Sequence, residues 1–197
     1  MEKQLIISIG REYGSGGHYI AEKLAKAFDL PLYDHNLLDE MFEGKGVDIE
    51  KIKRFDEKAL FGLTRRVRGG HSAPEIGIAE AQFEYMQKIA KEGKSFVIVG
   101  RCAESVLQDY DCLVPVFVLA DYDTKVKRIM EVRSFDEKEA KKAILRHDAH
   151  RKHYDNYFCK MKWGDSRLYD LSVNSSALGL DETAKYIESF IRAKYQL

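Results

Sequence analysis

Five short apolar runs recur along the chain, and segments of helical character separate most of them. The runs, which are four to seven residues long, are Leu5–Ile9, Leu30–Tyr33, Ser95–Val99, Leu113–Leu119 and Leu168–Val173. Strands that alternate with helices form a parallel sheet with helices packed on both of its faces. The pattern therefore predicts an α/β fold of three layers, αβα.

The helical segments are marked by apolar residues at spacings of three and four. They comprise a first helix that ends at Asp29, then His35–Glu43, Asp48–Leu60, Glu75–Lys91, Thr124–Val132, Asp136–Tyr157 and a last helix after Asp181. Asp121 and Asp181 stand at favourable N-cap positions, and Gly93 stands where a C-terminal glycine cap is expected. Residues 61–74 are basic, contain glycine and lack periodicity, which indicates a loop.

The composition is that of an ordinary globular chain. Its 197 residues suit one domain, residues 1–197, and its 32 basic and 32 acidic residues leave no net charge. A membrane helix needs about 18 consecutive apolar residues, and the sequence contains no such run. Three cysteines without a C-x-x-C pair favour a reducing compartment over a disulfide framework or a zinc site. We therefore expect a cytoplasmic protein with no membrane partner.

A glycine cluster, Gly14-Ser15-Gly16-Gly17, stands between the first predicted strand and the first predicted helix. Glycines at such a turn let backbone N–H groups approach an anion, and the helix N-terminus adds a favourable dipole. The cluster therefore favours phosphate binding, with His18 as a further donor, over a plain strand-to-helix turn. The full Walker A pattern G-x-x-x-x-G-K-[ST] is not met, because Gly17 stands in the place of the lysine and no hydroxyl residue follows it. The G-x-G-x-x-G pattern is not met either.

Other polar residues also follow predicted strands. Parallel strands end at one edge of the sheet, where ligands bind in this class of fold. Arg11, Asp34 and Gly100-Arg101 are expected at that edge together with the glycine cluster. Residues 125–152 contain ten Lys or Arg against five Asp or Glu, so the balanced charge is locally basic. Guanidinium groups suit phosphate oxygens, whereas most lysines of this stretch are expected on a solvated helix face.

Several stretches carry a resemblance to a known family. They are Ile7–Gly17, Tyr33-Asp34, Val99-Gly100-Arg101, Arg146–Tyr154, Trp163-Gly164-Asp165 and Tyr169-Asp170-Leu171. Together they resemble the cytidylate kinase-like group of nucleoside monophosphate kinases over almost the whole chain. The resemblance implies a P-loop kinase-like fold, a helical acceptor-side insertion at about residues 34–94 and a lid at about residues 133–157.

The resemblance, combined with the residues themselves, assigns expected roles. The residues expected to bind the ATP phosphates are Gly14, Ser15, Gly16, Gly17 and His18. The residues expected to bind the acceptor are Asp34 and Arg101. The residues expected to be catalytic are Arg11, Arg146 and Arg151. The two arginines of the lid, Arg146 and Arg151, would close over ATP and stabilise charge in the transition state.

The missing Walker lysine falls where catalysis is concentrated, since phosphoryl transfer depends on positioning and charge. We predict that Arg11 reaches the phosphates in its place, and that Ser15 helps to hold Mg²⁺ directly or through water. The leading hypothesis is an ATP- and Mg²⁺-dependent kinase whose acceptor is a nucleoside monophosphate such as CMP. The alternative is a nucleotide- or phosphate-binding protein that lost kinase activity with the lysine.

A third hypothesis is nucleic-acid binding through the basic loop. Arg65, Arg66 and Arg68 would supply the contacts to phosphate. The stretch that carries these arginines, residues 64–72, lacks Phe, Tyr and Trp for base stacking, and the neutral chain has no broadly basic surface. We therefore expect a nucleotide and a small-molecule acceptor as partners, and no nucleic acid.

Overall fold

The computed structural model describes residues 3–34, 73–159 and 162–196, and its centre is a five-stranded sheet. The strands are β1 (Ile6–Arg11), β2 (Leu32–Tyr33), β3 (Phe96–Val99), β4 (Leu113–Leu119) and β5 (Leu171–Asn174). Their order across the sheet is β2-β3-β1-β4-β5, and every neighbouring pair is parallel. The predicted α/β fold with a parallel sheet is confirmed.

Six helices and one short 3₁₀ turn are described around the sheet. The helices are α1 (Gly17–Phe28), α2 (Ala73–Lys91), α3 (Ala103–Val106), α4 (Tyr122–Arg133), α5 (Glu137–Phe158) and α6 (Ser175–Tyr195). Helix α5 begins with a capping box, in which the Asp136 side chain accepts from the Glu139 N–H and Glu139 accepts from the Asp136 N–H. None of the helices in the described ranges is long and apolar enough to cross a membrane.

The core lies on both faces of the sheet. On one face Ile7 and Ile9 pack with apolar residues of α1 and α6, and on the other Ile6 and Ile98 pack with those of α2 and α3. Strand β1 is buried on both faces, which explains why its sequence is continuously apolar and does not alternate. A smaller apolar cluster joins α4 to α5, and Tyr13 packs against it. The helix pair α4–α5 therefore lies next to the turn that follows β1.

The last strand begins later than predicted. The sequence predicted Leu168–Val173, whereas β5 covers Leu171–Asn174. Ser166–Leu168 form the 3₁₀ turn, because the Asp165 carboxylate accepts a hydrogen bond from the Arg167 N–H at 3.1 Å. A local side-chain bond of this kind competes with strand formation.

Two predicted caps are used differently. Helix α6 is interrupted at Gly179, where φ is 76° and ψ is 173°, so the side chain of Asn174 caps a short first segment and the long helical run predicted after Asp181 lies beyond the interruption. The Asp181 carboxylate accepts from Tyr19 at 2.8 Å and pairs with Lys23 at 3.0 Å. Asp121 does occupy the N-cap position of α4, but its carboxylate makes no cap bond and accepts from Asn174 at 2.8 Å. Both carboxylates connect elements that are distant in sequence.

Part of the predicted acceptor-side insertion lies outside the described residues. This applies to the predicted helices His35–Glu43 and Asp48–Leu60 and to residues 61–72 of the predicted basic loop, with its arginines. Residues 73 and 74, which were assigned to the loop, belong to α2. The insertion and the lid stay predictions as functional units.

Candidate active site

The carboxyl ends of three neighbouring strands bring charged residues to one edge of the sheet. Strand β1 ends at Arg11, Asp34 follows β2, and Gly100-Arg101 follow β3. The Arg11 Nη2 lies 3.9 Å from the Asp34 Oδ1, and the charge of Arg101 acts on both Arg11 and Asp34. The edge predicted from the strand order therefore exists as a cluster of interacting charges.

The glycine loop leads directly from β1 into α1. Gly14 and Gly16 have φ angles of 83° and 82°, in the left-handed region that favours glycine. A Cβ at Gly16 would also overlap with the Leu180 side chain of α6. Gly16 is the N-cap residue of α1, and no side chain caps this helix end. An uncapped helix N-terminus beside a glycine turn leaves backbone N–H groups available to an anion.

The carbonyl groups of the loop are bound from outside. The Arg128 guanidinium of α4 donates to the Gly14 carbonyl at 2.6 Å, and the Ser175 hydroxyl of α6 donates to the Ser15 carbonyl at 2.6 Å. These bonds turn the loop carbonyls towards protein, so they do not repel an approaching phosphate. The Ser15 side chain is fully buried, and its hydroxyl donates to the Glu12 carbonyl at 2.9 Å.

Arg11 spans the distance between the glycine loop and the end of β3. Its Cβ and Cγ lie against Gly17, where an added Cβ would approach them to 2.6 and 3.0 Å, and its Nη1 lies over Gly100. Only 21% of the side chain is exposed, and burial lowers the pKa of Arg11 from its usual 12.5. The guanidinium thus lies on the Asp34 side of the loop.

Asp34 joins Arg11 to His18. The His18 Nδ1 lies 2.9 Å from the Asp34 Oδ2, and its Nε2 lies 3.2 Å from Glu22. The hydrogen bond with Asp34 is the largest cause of the raised pKa of His18. Burial alone would raise the pKa of Asp34, but the bond from His18 and the charge of Arg11 outweigh it and hold that pKa well below 3.8. His18 is therefore bound to a carboxylate in this arrangement.

The free energy of unfolding should depend on pH through the pair of His18 and Asp34. Its contribution is complete below about pH 6.5, the ordinary histidine pKa, and is lost as the pH rises through the raised pKa of His18. The contribution also declines as the pH falls below about 4, the ordinary pKa of an aspartate, and it is fully lost only below the lowered pKa of Asp34 in the folded chain. We expect His18→Gln to lower the free energy of unfolding by up to about 1 kcal/mol near pH 5.5 and by less near pH 8.5, since His18 is half exposed. Urea unfolding at both pH values checks this, and an equal loss at both would contradict it.

Arg101 has an unusual backbone conformation. Its φ is 62°, and the neighbouring Gly100 and Cys102 are also left-handed, with φ of 71° and 54°. Non-glycine residues rarely adopt this region, and such strain is concentrated at functional sites. The Arg101 Nη1 lies 3.4 Å from the Oε1 of Gln82, a buried residue of α2. The turn thus holds Arg101 beside Arg11 at the sheet edge.

Gly100 gives a direct test of the position of Arg11. An alanine Cβ at this residue would overlap with the Arg11 Nη1, whereas a Cβ at Gly93, with a similar φ of 78°, meets nothing within 4 Å. We expect Gly100→Ala and Gly93→Ala each to lower stability by about 1–2 kcal/mol, the cost of a left-handed alanine. Only Gly100→Ala should lower the phosphotransfer rate, by about 10²-fold, because it displaces the guanidinium. Equal rates for the two variants would show that Arg11 does not act from this position.

Helix α5 covers the glycine turn. The Arg151 Nη1 donates to the Arg11 carbonyl at 3.2 Å, and its guanidinium lies 5.6 Å from the centre of the Tyr13 ring. The Tyr13 ring stacks on His147 at 4.1 Å between centroids. Burial, followed by the charge of Arg11, lowers the pKa of Arg151 to about 9. Arg146 is exposed, with its Nη2 3.4 Å from His147 Nε2, whereas Arg151 contacts the backbone of the glycine turn.

One buried lysine was missed by the sequence reasoning, which placed most lysines of this stretch on a solvated face. The Lys125 side chain is 8% exposed, and its Nζ lies 3.0 Å from Glu12 and 3.4 Å from Asp148. Asp148 also accepts from the Tyr13 N–H at 2.6 Å. Its spacing of four residues from the buried Ile129 places Lys125 on the apolar face of the helix, but the sequence shows no partner for its charge. This ion-pair network joins α4, α5 and the glycine turn.

Comparison with known sequences identifies the family of this chain. The sequence profile of the cytidylate kinase-like family matches residues 6–177. A cytidylate kinase from Methanopyrus kandleri is 24% identical over 197 residues, which is 95% of this chain and 93% of the relative.

Solved structures extend the comparison to the fold. An uncharacterized protein from Eubacterium ventriosum is 39% identical, with a TM-score of 0.76 over 95% of this chain and 98% of that chain. Shikimate kinase from Bacteroides thetaiotaomicron, 12% identical, has a TM-score of 0.56 over 95% of this chain and 98% of its own. A gluconokinase from Sinorhizobium meliloti, 13% identical, has a TM-score of 0.53 over 98% and 94%. The fold is thus that of the P-loop kinases, and the chain belongs to the cytidylate kinase-like family.

Proposed function

We propose that this chain transfers the γ-phosphate of ATP to a nucleoside monophosphate, with CMP as the first candidate. The observation that carries the proposal is the meeting of three guanidinium groups beside the glycine loop. Arg11 is affected by the charge of Arg101, and Arg151 by the charge of Arg11. The charge of Asp34 on Arg11 outweighs that of Arg101, so a carboxylate holds these guanidinium groups at the sheet edge, while burial lowers the pKa of Arg11. A bound polyphosphate would supply further negative charge to guanidinium groups that are already gathered there.

The two substrates take different sides of Arg11 in this proposal. The ATP phosphates lie on the backbone N–H groups of Gly14–Gly17, at the uncapped N-terminus of α1. The acceptor phosphate meets Arg101, and Asp34 positions the acceptor. Support comes from the geometry, since the Arg11 side chain contacts Gly17 at one end and Gly100 at the other. Arg11 is then placed to touch the phosphoryl group while it moves between the substrates.

The proposed reaction is a direct displacement at phosphorus. An oxygen of the acceptor phosphate attacks the γ-phosphorus, the bond from that phosphorus to the bridging oxygen breaks, and ADP leaves with the electron pair. Negative charge builds up on the transferring oxygens, and guanidinium groups held in place beforehand stabilise it. Arg11 and Arg151 supply this charge where the Walker pattern has lysine, and Arg146 joins them if α5 moves. His18 is the further donor to phosphate once it leaves Asp34.

Magnesium is the ion expected with ATP, and it neutralises phosphate charge when bound. Ser15 does not fit it as a direct ligand in the present arrangement, because its Oγ is buried and bonded to the Glu12 carbonyl. We therefore assign no step to this residue, and its weak candidacy as a metal ligand stays a prediction.

The proposal is tested by measuring ADP formation in a coupled assay with ATP and Mg²⁺. The acceptors to compare are CMP, dCMP and UMP, with shikimate and gluconate as acceptors that carry no nucleotide. We expect turnover to require a nucleoside monophosphate and to be fastest with a cytidine nucleotide. Turnover with shikimate or gluconate, but with none of the nucleoside monophosphates, would show that the acceptor is not a nucleotide. ATP binding without turnover of any of the five acceptors would contradict kinase activity.

A further inference from the structure

Two cysteines and an aspartate meet beside the sheet edge, in a cluster that phosphoryl transfer does not use. Cys102 follows Arg101 at the start of α3, Asp155 lies in the last turn of α5, and Cys159 ends that helix. The two Sγ atoms and one carboxylate oxygen all lie within 4.8 Å of one another. Within the described ranges, no other set of three or more His, Cys, Asp or Glu residues has its ligand atoms so close together.

The cluster differs from ordinary buried cysteines. Cys102 and Cys159 are 1% and 7% exposed, as apolar residues would be. A carboxylate is nevertheless brought to them, and the Cys102 thiol donates to the Asp155 Oδ1 at 3.0 Å. The charges of Arg11 and Arg151 compensate in part for burying the Asp155 carboxylate, but they do not account for two thiols gathered around it. Thiolates are ligands that zinc prefers, so the three groups together form a candidate metal site.

A second buried carboxylate lies near the cluster. Glu104 is two residues after Cys102, is 6% exposed, and is close enough to Asp155 for their charges to interact. Its Oε1 lies 3.5 Å from the Tyr169 hydroxyl, and its Oε2 has no hydrogen-bond partner among the described residues. An unpaired buried oxygen of this kind can complete a coordination shell, directly or through water.

The donor set and the spacing suit a zinc ion. Zinc binds thiolate sulfur at about 2.3 Å and carboxylate oxygen at about 2.0–2.2 Å in tetrahedral sites, so two sulfurs on one ion lie about 3.8 Å apart. The Cys102 Sγ already lies 3.0 Å from the Asp155 Oδ1, and all three ligand atoms lie within 4.8 Å of one another, so small side-chain shifts would reach this geometry. Thiolates select zinc over magnesium or calcium, which prefer oxygen.

The surrounding charges also suit such an ion. Two thiolates and the Asp155 carboxylate carry three negative charges, against two positive charges on zinc. Arg11, Arg151 and Arg101 all interact electrostatically with Asp155, so the remaining negative charge lies among cations.

We propose that Cys102, Asp155 and Cys159 bind one zinc ion that joins the end of α5 to the turn after β3. The ion ties the helix that carries Arg151 to the turn that carries Arg101. It is a structural site, since none of its three protein ligands is needed for phosphoryl transfer.

The test uses the full chain, reduced and freed of metal, with Co²⁺ as a spectroscopic probe. We expect one Co²⁺ per chain to produce thiolate-to-cobalt charge-transfer absorption together with the visible bands of tetrahedral cobalt, and Zn²⁺ to displace it. The variants Cys102→Ser, Cys159→Ser and Asp155→Asn should lose or strongly weaken these signals. The matched control is Cys112→Ser, which removes the remaining cysteine, lies outside the cluster and should keep them.

Wild-type protein alone can overturn the proposal, so the result does not depend on how well the variants fold. Absence of the charge-transfer band in the reduced wild-type chain would overturn the zinc proposal. The proposal would also be overturned if the isolated protein contains a disulfide between Cys102 and Cys159 and binds no cobalt after that disulfide is reduced. Signals that survive in a folded Cys159→Ser variant, or vanish in a folded Cys112→Ser variant, would show that cobalt binds elsewhere.

Discussion

Replacing Arg11 by methionine should lower kcat for phosphoryl transfer by about 10²–10³-fold, the usual effect of removing one group that stabilises transition-state charge. The reason is its place: the guanidinium lies between the glycine loop and Gly100, with its Nη2 3.9 Å from Asp34. Burial also lowers the pKa of Arg11, so a neutral side chain of similar length removes a charge that is costly to bury. We therefore expect the fold to survive the substitution.

Two further variants sharpen this experiment. Arg11→Lys keeps a positive charge but loses the planar fork that matches phosphate, so its kcat should lie between those of the wild type and Arg11→Met. Arg192→Met removes a guanidinium of α6 that is bonded to Glu188 at 2.8 Å, and it should leave kcat unchanged. A kcat of Arg11→Met within about threefold of the wild type would be a much smaller loss than removal of a group that stabilises transition-state charge causes. That result would show that Arg11 does not compensate for the absent lysine.

The second large effect is expected at Lys125. Lys125→Met should lower the free energy of unfolding by about 3–5 kcal/mol, because it leaves the partly buried carboxylates of Glu12 and Asp148 without their shared cation. Urea unfolding monitored by circular dichroism measures this loss. The control is Lys127→Met, which removes an exposed lysine of the same helix and should cost little.

A double variant separates the ion pair from simple packing. Glu12→Gln removes one of the two carboxylates that Lys125→Met leaves unpaired, so adding it should restore part of the lost stability. If the double variant is less stable than Lys125→Met by the full cost of Glu12→Gln, the two residues are not coupled. Lys125 would then stabilise the chain through its packing.

Much of the fold could be predicted because strand and helix patterns are local. The buried runs of β1, β3 and β4 are apolar throughout, and the capping box at Asp136 marks the start of α5 in the sequence itself. The errors arose where a short-range side-chain bond decided the outcome. Asp165 holds a 3₁₀ turn at Ser166–Leu168, where β5 was predicted to begin, and Asn174 caps a short helical segment that precedes the interruption at Gly179.

The candidate site also contains some residues that the sequence predicts and others that it does not. Asp34 and Arg101 could be assigned to the sheet edge because the ends of parallel strands must meet there. Lys125 could not, because its burial depends on Glu12, 113 residues away in sequence, and a lysine in a charged helix is ordinarily solvated. The contact between Arg151 and the Arg11 carbonyl, which joins residues 140 positions apart, is equally long-range.

The central claim is that this guanidinium site moves the γ-phosphate of ATP without a Walker lysine. A single-turnover experiment tests it most directly, with protein in excess over ATP labelled with ³²P in the γ-position, and with CMP and Mg²⁺ present. We predict that the label moves into CDP, and that Arg11→Met slows this transfer by about 10²–10³-fold. Label that stays in bound ATP, or that appears only as inorganic phosphate, would contradict the account.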